Sequence, residues 1–299
     1  MGTIALYVGL VVLWGFGPYA VAVQLGVVAP EMLVTYRFAL GGAILLGACV
    51  VLGRSLRYSP REHFFIALQG VPMFGVVDIF FYHGVSHLAS GLVALIVSLL
   101  IIHNIFLGAL FLRLPIRPRV LLGALIGLGG MALVFWREIA AFDAASGATI
   151  GIVFALIASL FGSIGTIAAA RNQRAGLPVM QTSAIGMIYG AAFTFVIALA
   201  LGRSIGWDPS LVFLAGFLWM VVPASVIAFV VYVALIGRIG PDRAAYAIVI
   251  VPIFALGVST ALEGHTWTAL SAAGAALVLV GNIVVLTASR RAIIAATTA

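Results

Sequence analysis

The sequence predicts an all-α membrane protein with ten transmembrane helices, arranged as two inverted five-helix repeats around a central cavity. Three observations carry this prediction. The 299 residues are 64% hydrophobic and only 8% charged, whereas about a quarter of the residues in a soluble domain are charged. The apolar residues fall into ten runs. The second half of the chain also repeats features of the first half at a nearly constant spacing.

The ten apolar runs are each long enough to cross a hydrocarbon core of about 30 Å. They cover approximately residues 3–24, 32–52, 64–84, 90–111, 120–136, 149–170, 180–201, 211–235, 244–262 and 268–288. Short loops join them, so the helices are expected to form one bundle. The first run is long enough to span and has no basic segment before it, which argues against a cleavable signal peptide.

The positions of the arginines predict how the helices are oriented. All fifteen basic residues are arginines. Twelve of them lie near the C-terminus or in the loops after the second, fourth, sixth and eighth runs, and only Arg137 and Arg203 lie in the opposite loops. Because cytoplasmic loops are enriched in arginine, both termini are predicted to be cytoplasmic.

An internal repeat is visible in the prolines and glycines. Three pairs share a spacing of 151 residues: Pro72 with Pro223, Gly123 with Gly274, and Gly130 with Gly281. This spacing predicts repeat domains at residues 1–144 and 145–299. Each repeat holds an odd number of crossings, so the second copy is expected to be inverted. Inverted repeats are typical of secondary transporters, whose substrate site lies near the membrane midplane between the copies.

Glycines also predict how helices pack. Gly123 and Gly127 form a GxxxG pair in the fifth run, and small residues let membrane helices approach closely. Such a pair can also mark a dimer face. In a bundle with short loops we favour packing within the chain, and a monomer.

The stretch from Arg238 to Gly264 carries a resemblance to a known family. Its pattern continues into the last run and consists of Gly240, Pro241, Ala244, Ala245, Pro252, Glu263, Gly264, Gly274 and Gly281. This pattern resembles the C-terminal half of an EamA-type repeat, in the drug/metabolite transporter superfamily. The resemblance extends over nearly the whole chain and, within the superfamily, is greatest to bacterial exporters of aromatic amino acids. It implies ten helices in two repeats. The first copy departs from the pattern, with Ile101 in place of the proline.

Asp78 is the only acidic residue well inside an apolar run. Because a central aspartate is costly in a membrane, such residues usually face a cavity or a partner. We expect Asp78 to contact a substrate ammonium group or to couple transport to protons. The alternative is a structural pair with a histidine or Arg37. Arg37 itself is expected to be structural or to reach the membrane surface, with binding of a substrate carboxylate as the alternative.

Four further residues are predicted to line the substrate cavity. Tyr82 is four residues after Asp78 and so shares its helix face, and His83 follows near the outer end; an interfacial position is the alternative for His83. His103 lies deep in the fourth run, where it either contacts substrate or hydrogen-bonds to another helix. Trp14 lies beside Gly15, Gly17, Pro18 and Tyr19, and its ring can stack on an aromatic or cationic substrate or simply fill a helix contact.

Pro72, Pro223 and Pro252 are predicted to act as hinges. A proline inside a helix removes one backbone hydrogen bond, so the helix is expected to bend or open there. In a membrane, the freed carbonyl is tolerated where it faces protein or water. We therefore expect these prolines to lie along a transport path.

Several functions are excluded by what the sequence lacks. It contains no lysine, which excludes a Gly-Lys-Ser/Thr phosphate-binding loop. The HExxH and GxSxG motifs are absent, and the single Cys49 cannot form an internal disulfide or a cysteine metal site. We predict no enzyme activity, no cofactor, no metal and no nucleic-acid partner.

The sequence therefore predicts a secondary transporter of the bacterial inner membrane. Its partners are the lipid bilayer and a small-molecule substrate, and it is expected to export small metabolites, amino acids including aromatic ones, by alternating access. Export of drugs, cationic compounds or nucleotide-sugar-like metabolites is the alternative within transport. An intramembrane enzyme or a lipid-binding assembly factor is the alternative of a different class.

Overall fold

The computed structural model describes residues 2–22, 24, 26, 28–88, 90–142, 148–263 and 267–287, and within them every regular element is helical. The α-helices are α1 Thr3–Gly15, α2 Gly17–Ala22, α3 Pro30–Val51, α4 Pro60–Val71, α5 Val77–Val85, α6 Ser90–Val97, α7 Leu100–Leu112, α8 Pro118–Val134, α9 Trp136–Ala140, α10 Ala148–Arg174, α11 Val179–Ala200, α12 Leu211–Val221, α13 Ala228–Ile239, α14 Pro241–Glu263 and α15 Ala269–Thr287. Gly264, Arg290 and Arg291, used above as sequence signals, lie outside the described residues.

Seven helical stretches of the described chain are long and apolar enough to cross a membrane. They are Pro30–Val51, Pro60–Val85, Leu92–Leu112, Ala148–Arg174, Val179–Ala200, Leu211–Ile239 and Ala269–Thr287. Thr3–Gly15 and Pro118–Val134 are shorter apolar helices. The all-helical membrane fold is therefore confirmed, while the number of ten crossings stays a prediction.

Two of the predicted proline interruptions lie at π-helical turns. Pro72 begins the turn Pro72–Val76 between α4 and α5, and Pro223 is the second residue of the turn Val222–Ile227 between α12 and α13. A proline has no N–H to donate, and a π turn accommodates the altered hydrogen bonding without ending the helix. Pro252 lies inside α14, which is continuous.

Two of the apolar runs, each predicted as one continuous helix, are divided into two helices. The first is divided at Phe16 into α1 and α2, beside the Gly15, Gly17 and Pro18 expected to allow a bend. The fourth is divided at Ser98 and Leu99 into α6 and α7. The Ser98 hydroxyl donates to the Ala94 carbonyl oxygen at 2.8 Å, a side-chain contact that often bends helices.

The GxxxG glycines pack within the chain, as expected. A Cβ on Gly123 would lie 2.8 Å from the carbonyl oxygen of Gly281 in α15, and one on Gly127 would lie 1.9 Å from the Tyr246 hydroxyl of α14. Further along, a Cβ on Gly130 would lie 2.6 Å from the carbonyl oxygen of Gly274. These contacts leave no room for side chains, so α8 and α15 touch through their backbones.

The C-terminal end of α10 is attached to three other helices by consecutive side chains. Asn172 donates to the Phe65 carbonyl oxygen of α4 at 3.0 Å. Gln173 donates to the Val233 carbonyl oxygen of α13. Arg174 donates to the Leu112 carbonyl oxygen of α7 at 2.9 Å. These helix ends are therefore held together at the end of the bundle where the loop arginines gather.

Candidate functional site

Arg37 and Asp78 form an ion pair inside the bundle. Nη1 of Arg37, in α3, lies 3.2 Å from Oδ2 of Asp78, in the first turn of α5. The two side chains are only 8% and 19% exposed, so Arg37 stays inside the bundle. The contact is the Arg37 pair named as the structural alternative for Asp78, and it agrees with the structural role expected for Arg37 rather than with a reach to the surface. Its charge is instead satisfied by a carboxylate, because an isolated buried charge is far more costly than a paired one.

Arg37 also contacts the second π turn. Its Nε donates to the Ser225 hydroxyl at 2.6 Å, and that hydroxyl donates to the Met220 carbonyl oxygen at 2.7 Å. Ser225 is fully buried. Arg37 thus connects Asp78, two residues after the first π turn, with a side chain inside the second.

Trp14 contacts the same π turn. Its indole Nε1 donates to the Ala224 carbonyl oxygen at 3.0 Å. Its ring lies against Phe229 and Tyr232, with both ring centroids 5.2 Å away. The π turn that contains Pro223 is therefore held by hydrogen bonds from α1 and α3.

Aromatic side chains surround the ion pair. The guanidinium carbon of Arg37 lies 4.7 Å from the ring centroid of Phe38, within range of a cation–π contact. Phe74 packs edge-on against Phe229 at 4.9 Å. Tyr82, four residues after Asp78, is 4% exposed and belongs to the same buried cluster. The centre of the bundle therefore combines one charge pair with an aromatic wall.

His83 belongs to a second ionic cluster, nearer the end of the bundle opposite the arginine-rich loops. Its Nε2 lies 2.8 Å from Oε1 of Glu31, whose side chain is completely buried. Arg203, after α11, donates from Nη2 to the same oxygen at 3.2 Å, and its Nε lies 3.2 Å from Oε2. The cluster joins α3 and α5 to the segment that follows α11.

His103, on α7, lies apart from both the central ion pair and the cluster around Glu31. Its Nδ1 is 3.0 Å from the Ser159 hydroxyl of α10. The neighbouring Asn104 accepts from Ser163 at 2.6 Å and donates to the Pro241 carbonyl oxygen at 3.1 Å. These bonds join α7 to α10 and α14, which fits the helix-to-helix alternative for His103.

A cavity of about 220 Å³ opens beside Asn104 at the arginine-rich end. Its walls come from α7, the loop between α7 and α8, and the corner between α13 and α14. No group of three histidine, cysteine, aspartate or glutamate side chains with the geometry of a metal site occurs among the described residues.

Comparison with known proteins identifies the family. The family model for the EamA-like transporter family matches residues 1–136 and 149–287. The chain belongs to the EamA-like transporter family. The uncharacterized inner membrane transporter YedA of Escherichia coli (strain K12) is 26% identical over 284 residues, covering 91% of this chain and 88% of YedA. An uncharacterized transporter of Archaeoglobus fulgidus is 22% identical over 276 residues, covering 92% of this chain and 95% of that relative.

A protein of known crystal structure shares the fold of this EamA-like transporter. The two superpose with a TM-score of 0.78 at 19% identity, over 97% of this chain and 98% of the other. Since the family and its named relatives are membrane transporters, this EamA-like protein is a membrane transporter and not an enzyme.

The five residues predicted to line one cavity occupy three places in this EamA-like transporter. Trp14, Asp78 and Tyr82 lie around the central ion pair, whereas His83 and His103 lie in separate polar contacts. Sequence reasoning did not single out Ser225 or Glu31. Glu31 lies six residues before Arg37 at the edge of an apolar run. An acidic residue at that position was the one sequence signal that could have pointed to a buried ionic contact.

Proposed function

We propose that this chain is a secondary transporter that exports amino acids, including aromatic ones, across the bacterial inner membrane. The observation that carries the proposal is the buried Arg37–Asp78 pair beside the aromatic side chains of α1, α5 and α13. An amino acid presents the same two charges, an ammonium group and a carboxylate, on one carbon atom, Cα. An aromatic amino acid adds a ring that the surrounding aromatic side chains can contact.

The charges of the substrate can replace those of the pair. The guanidinium group of Arg37 is suited to bind a carboxylate with two parallel hydrogen bonds. Asp78 is suited to accept from the ammonium group, and the face of Trp14 can add a cation–π contact. Because each buried charge exchanges one partner for another, binding avoids leaving either charge unpaired.

The arrangement of the two halves supports alternating access. Pro72 and Pro223, 151 residues apart, both lie at π turns. The glycine contacts are also interchangeable: adding 151 to one partner and subtracting it from the other converts the Gly123–Gly281 contact into the Gly274–Gly130 contact. A two-fold relation between antiparallel copies accounts for this exchange. Inverted repeats of this kind rock about a central site in secondary transporters.

The proposal also specifies how the protein is oriented in the membrane and in which direction it transports. The arginine bias supports cytoplasmic termini. The comparisons support the family and transport, and the finer resemblance to the aromatic amino-acid exporter YddG rests on the sequence pattern alone. A single central carboxylate is compatible with two mechanisms of export: movement of the substrate down its own gradient, and transport coupled to protons.

The test is transport by the purified protein in sealed liposomes. Labelled L-phenylalanine should accumulate in proteoliposomes and not in protein-free liposomes, with and without an imposed pH gradient. Excess unlabelled amino acids should compete, whereas phenethylamine, which lacks the carboxylate, should compete weakly. Strong competition by phenethylamine together with weak competition by amino acids would favour a carrier of cationic compounds instead.

A further inference from the structure

The cavity beside Asn104 lies apart from the central ion pair and is built by both halves of the chain. The first half contributes Ile105, Leu114 and Arg117, and the second half contributes Ile239, Asp242 and Arg243. None of these residues takes part in the contacts of Arg37 and Asp78 described above. The cavity lies among the loops where the arginines gather, which is the predicted cytoplasmic face.

A sharp corner positions two of the charged residues. Gly240 adopts a φ of 91° between α13 and α14, a conformation that favours glycine. Asp242 and Arg243 follow immediately, in the first turn of α14. Arg243 is 5% exposed, and its Nη1 donates to the Ile239 carbonyl oxygen at 3.2 Å, which holds its side chain at the corner.

The charges in the cavity are mixed. Arg117 and Arg243 are cationic, and Asp242 is anionic. Arg117 and Asp242 line the same cavity, and the guanidinium group favours the charged form of the Asp242 carboxyl. In the described part of the chain, no ion pair within 4 Å joins the two side chains. A cation and an anion that face one cavity without closing it leave space for a ligand between them.

We propose that this cavity is a cytoplasmic loading site that binds the zwitterionic group of an amino acid before it moves to Arg37 and Asp78. The carboxylate of the ligand pairs with Arg117 and Arg243, and its ammonium group pairs with Asp242. Ile105, Leu114 and Ile239 supply an apolar wall for the side chain. The inference rests on the proposed function, since it assigns a second binding position for the same substrate.

A zwitterion fits this lining better than a simple anion does. A site for phosphate or a carboxylate alone gains from its arginines, but Asp242 repels it. For an amino acid, by contrast, the Asp242 carboxylate attracts the ammonium group of the ligand. Arg117 lies just before α8, whereas Asp242 and Arg243 lie in the first turn of α14. A ligand that carries both charges on substituents of one carbon can contact both signs together.

Membrane vesicles of the two orientations provide the test. Everted vesicles expose the cytoplasmic face, and right-side-out vesicles expose the outer face. Uptake of labelled L-phenylalanine is measured in both for the wild type, Arg117→Gln, Asp242→Asn and the control Arg119→Gln. Arg119 is exposed, two residues from Arg117 in the same segment, and not in the cavity lining.

Loss of one charged contact should raise the half-saturating concentration in everted vesicles about tenfold for Arg117→Gln and Asp242→Asn. The maximal rate should rise by about the same factor, because the lost contact stabilises only the loaded state and not the later barrier, so the ratio of the maximal rate to the half-saturating concentration stays at the wild-type value. In right-side-out vesicles the same variants should match the wild type, which also shows that they are folded. Arg119→Gln should match the wild type in both, and 3-phenylpropionate, which has only the carboxylate, should compete poorly in everted vesicles.

Three results would overturn the loading site while leaving the proposed function intact. They are equal changes in both vesicle orientations, an effect of Arg119→Gln as large as that of Arg117→Gln, and competition by 3-phenylpropionate as strong as by phenylalanine. The last would identify a site for anions. Absence of saturable uptake by the wild type in both orientations would overturn the proposed function, and the loading site with it.

Discussion

Nε of Arg37 donates to the hydroxyl of Ser225 across 2.6 Å, joining residues 188 positions apart in the chain. The same guanidinium group lies 3.2 Å from Asp78. Asp78 follows the π turn that contains Pro72, and Ser225 lies within the one that contains Pro223. A single side chain of α3 therefore contacts both helices in which a proline interrupts the regular hydrogen bonding.

The energetic coupling between Arg37 and Asp78 can be measured directly. Arg37→Gln and Asp78→Asn should each destabilise the protein, because each leaves a buried group without its charged partner. The double variant should lose less stability than the two single variants together, with a coupling energy of about 1–3 kcal/mol. Thermal unfolding of the purified proteins measures it. Ser225→Ala removes both hydrogen bonds of this hydroxyl and keeps the ion pair, so it should cost about 2–3 kcal/mol. Additive losses would contradict the pair.

Asp78→Asn also separates the two roles expected for this carboxylate. If Asp78 carries protons, the variant should still exchange labelled for unlabelled substrate but lose its response to a pH gradient. If Asp78 binds the ammonium group, both activities should fall together, by about tenfold or more for one charged contact. Exchange and gradient-driven uptake in proteoliposomes distinguish these outcomes. Wild-type rates of both would remove Asp78 from the site.

The π turns are expected to be needed for movement more than for folding. Alanine restores the missing N–H and allows a regular α-helix. Pro72→Ala and Pro223→Ala should therefore lower the transport rate about tenfold, equivalent to 1.4 kcal/mol in the barrier, with a smaller effect on thermal stability. Pro252→Ala, in a continuous helix, should have a smaller effect on transport.

Pro118→Ala is the control for the proline series, because Pro118 is the first residue of α8, where proline interrupts no helical hydrogen bond. It should transport like the wild type. Unchanged rates per folded molecule in Pro72→Ala and Pro223→Ala would make both prolines structural.

The glycines of α8 offer a matched pair of substitutions. Gly127→Ala would bring a Cβ within 1.9 Å of the Tyr246 hydroxyl, whereas a Cβ on Gly129 meets nothing within 4 Å. Overpacking should cost Gly127→Ala about 1–3 kcal/mol. Gly129→Ala should be neutral or stabilising by up to about 1 kcal/mol, since alanine favours helix. Thermal unfolding in detergent compares the two. Equal melting temperatures would contradict the close contact.

Topology can be tested with reporter fusions. Ten crossings with an inverted second half require that the loops after the fifth and sixth predicted runs face opposite sides of the membrane. Alkaline phosphatase fused after the fifth run should be active, because it lies outside, and the fusion after the sixth should be inactive. A fusion to the C-terminus of the full-length protein is the control, and it should be inactive because that end is predicted to be cytoplasmic. Two fusions reporting the same side would exclude the inverted repeat.

The features that could be predicted from the sequence are those set by local composition. Apolar runs located the helices, and Pro72 and Pro223 marked the π turns because a missing N–H acts on its own helix. The glycine spacing in α8 indicated close packing. The pair of Arg37 with Asp78 was named as one alternative, whereas the contact of Arg37 with Ser225 was not predicted, because a contact between α3 and the turn after α12 depends on how distant helices are positioned in space. Glu31 was missed for the same reason: its partners, His83 and Arg203, lie 52 and 172 residues away in the sequence.

The attachment of α10 at Asn172, Gln173 and Arg174 has a mechanical consequence. A helix of 27 residues is about 40 Å long. If it tilts by about 5° around its attached end, the other end moves by about 3.5 Å, while the attached end hardly moves. In such a tilt the arginine-rich end of the bundle would be the pivot for α10. The largest displacement then falls at the end that carries Phe154, whose ring lies 5.8 Å from that of His83, and His83 in turn pairs with the buried carboxylate of Glu31.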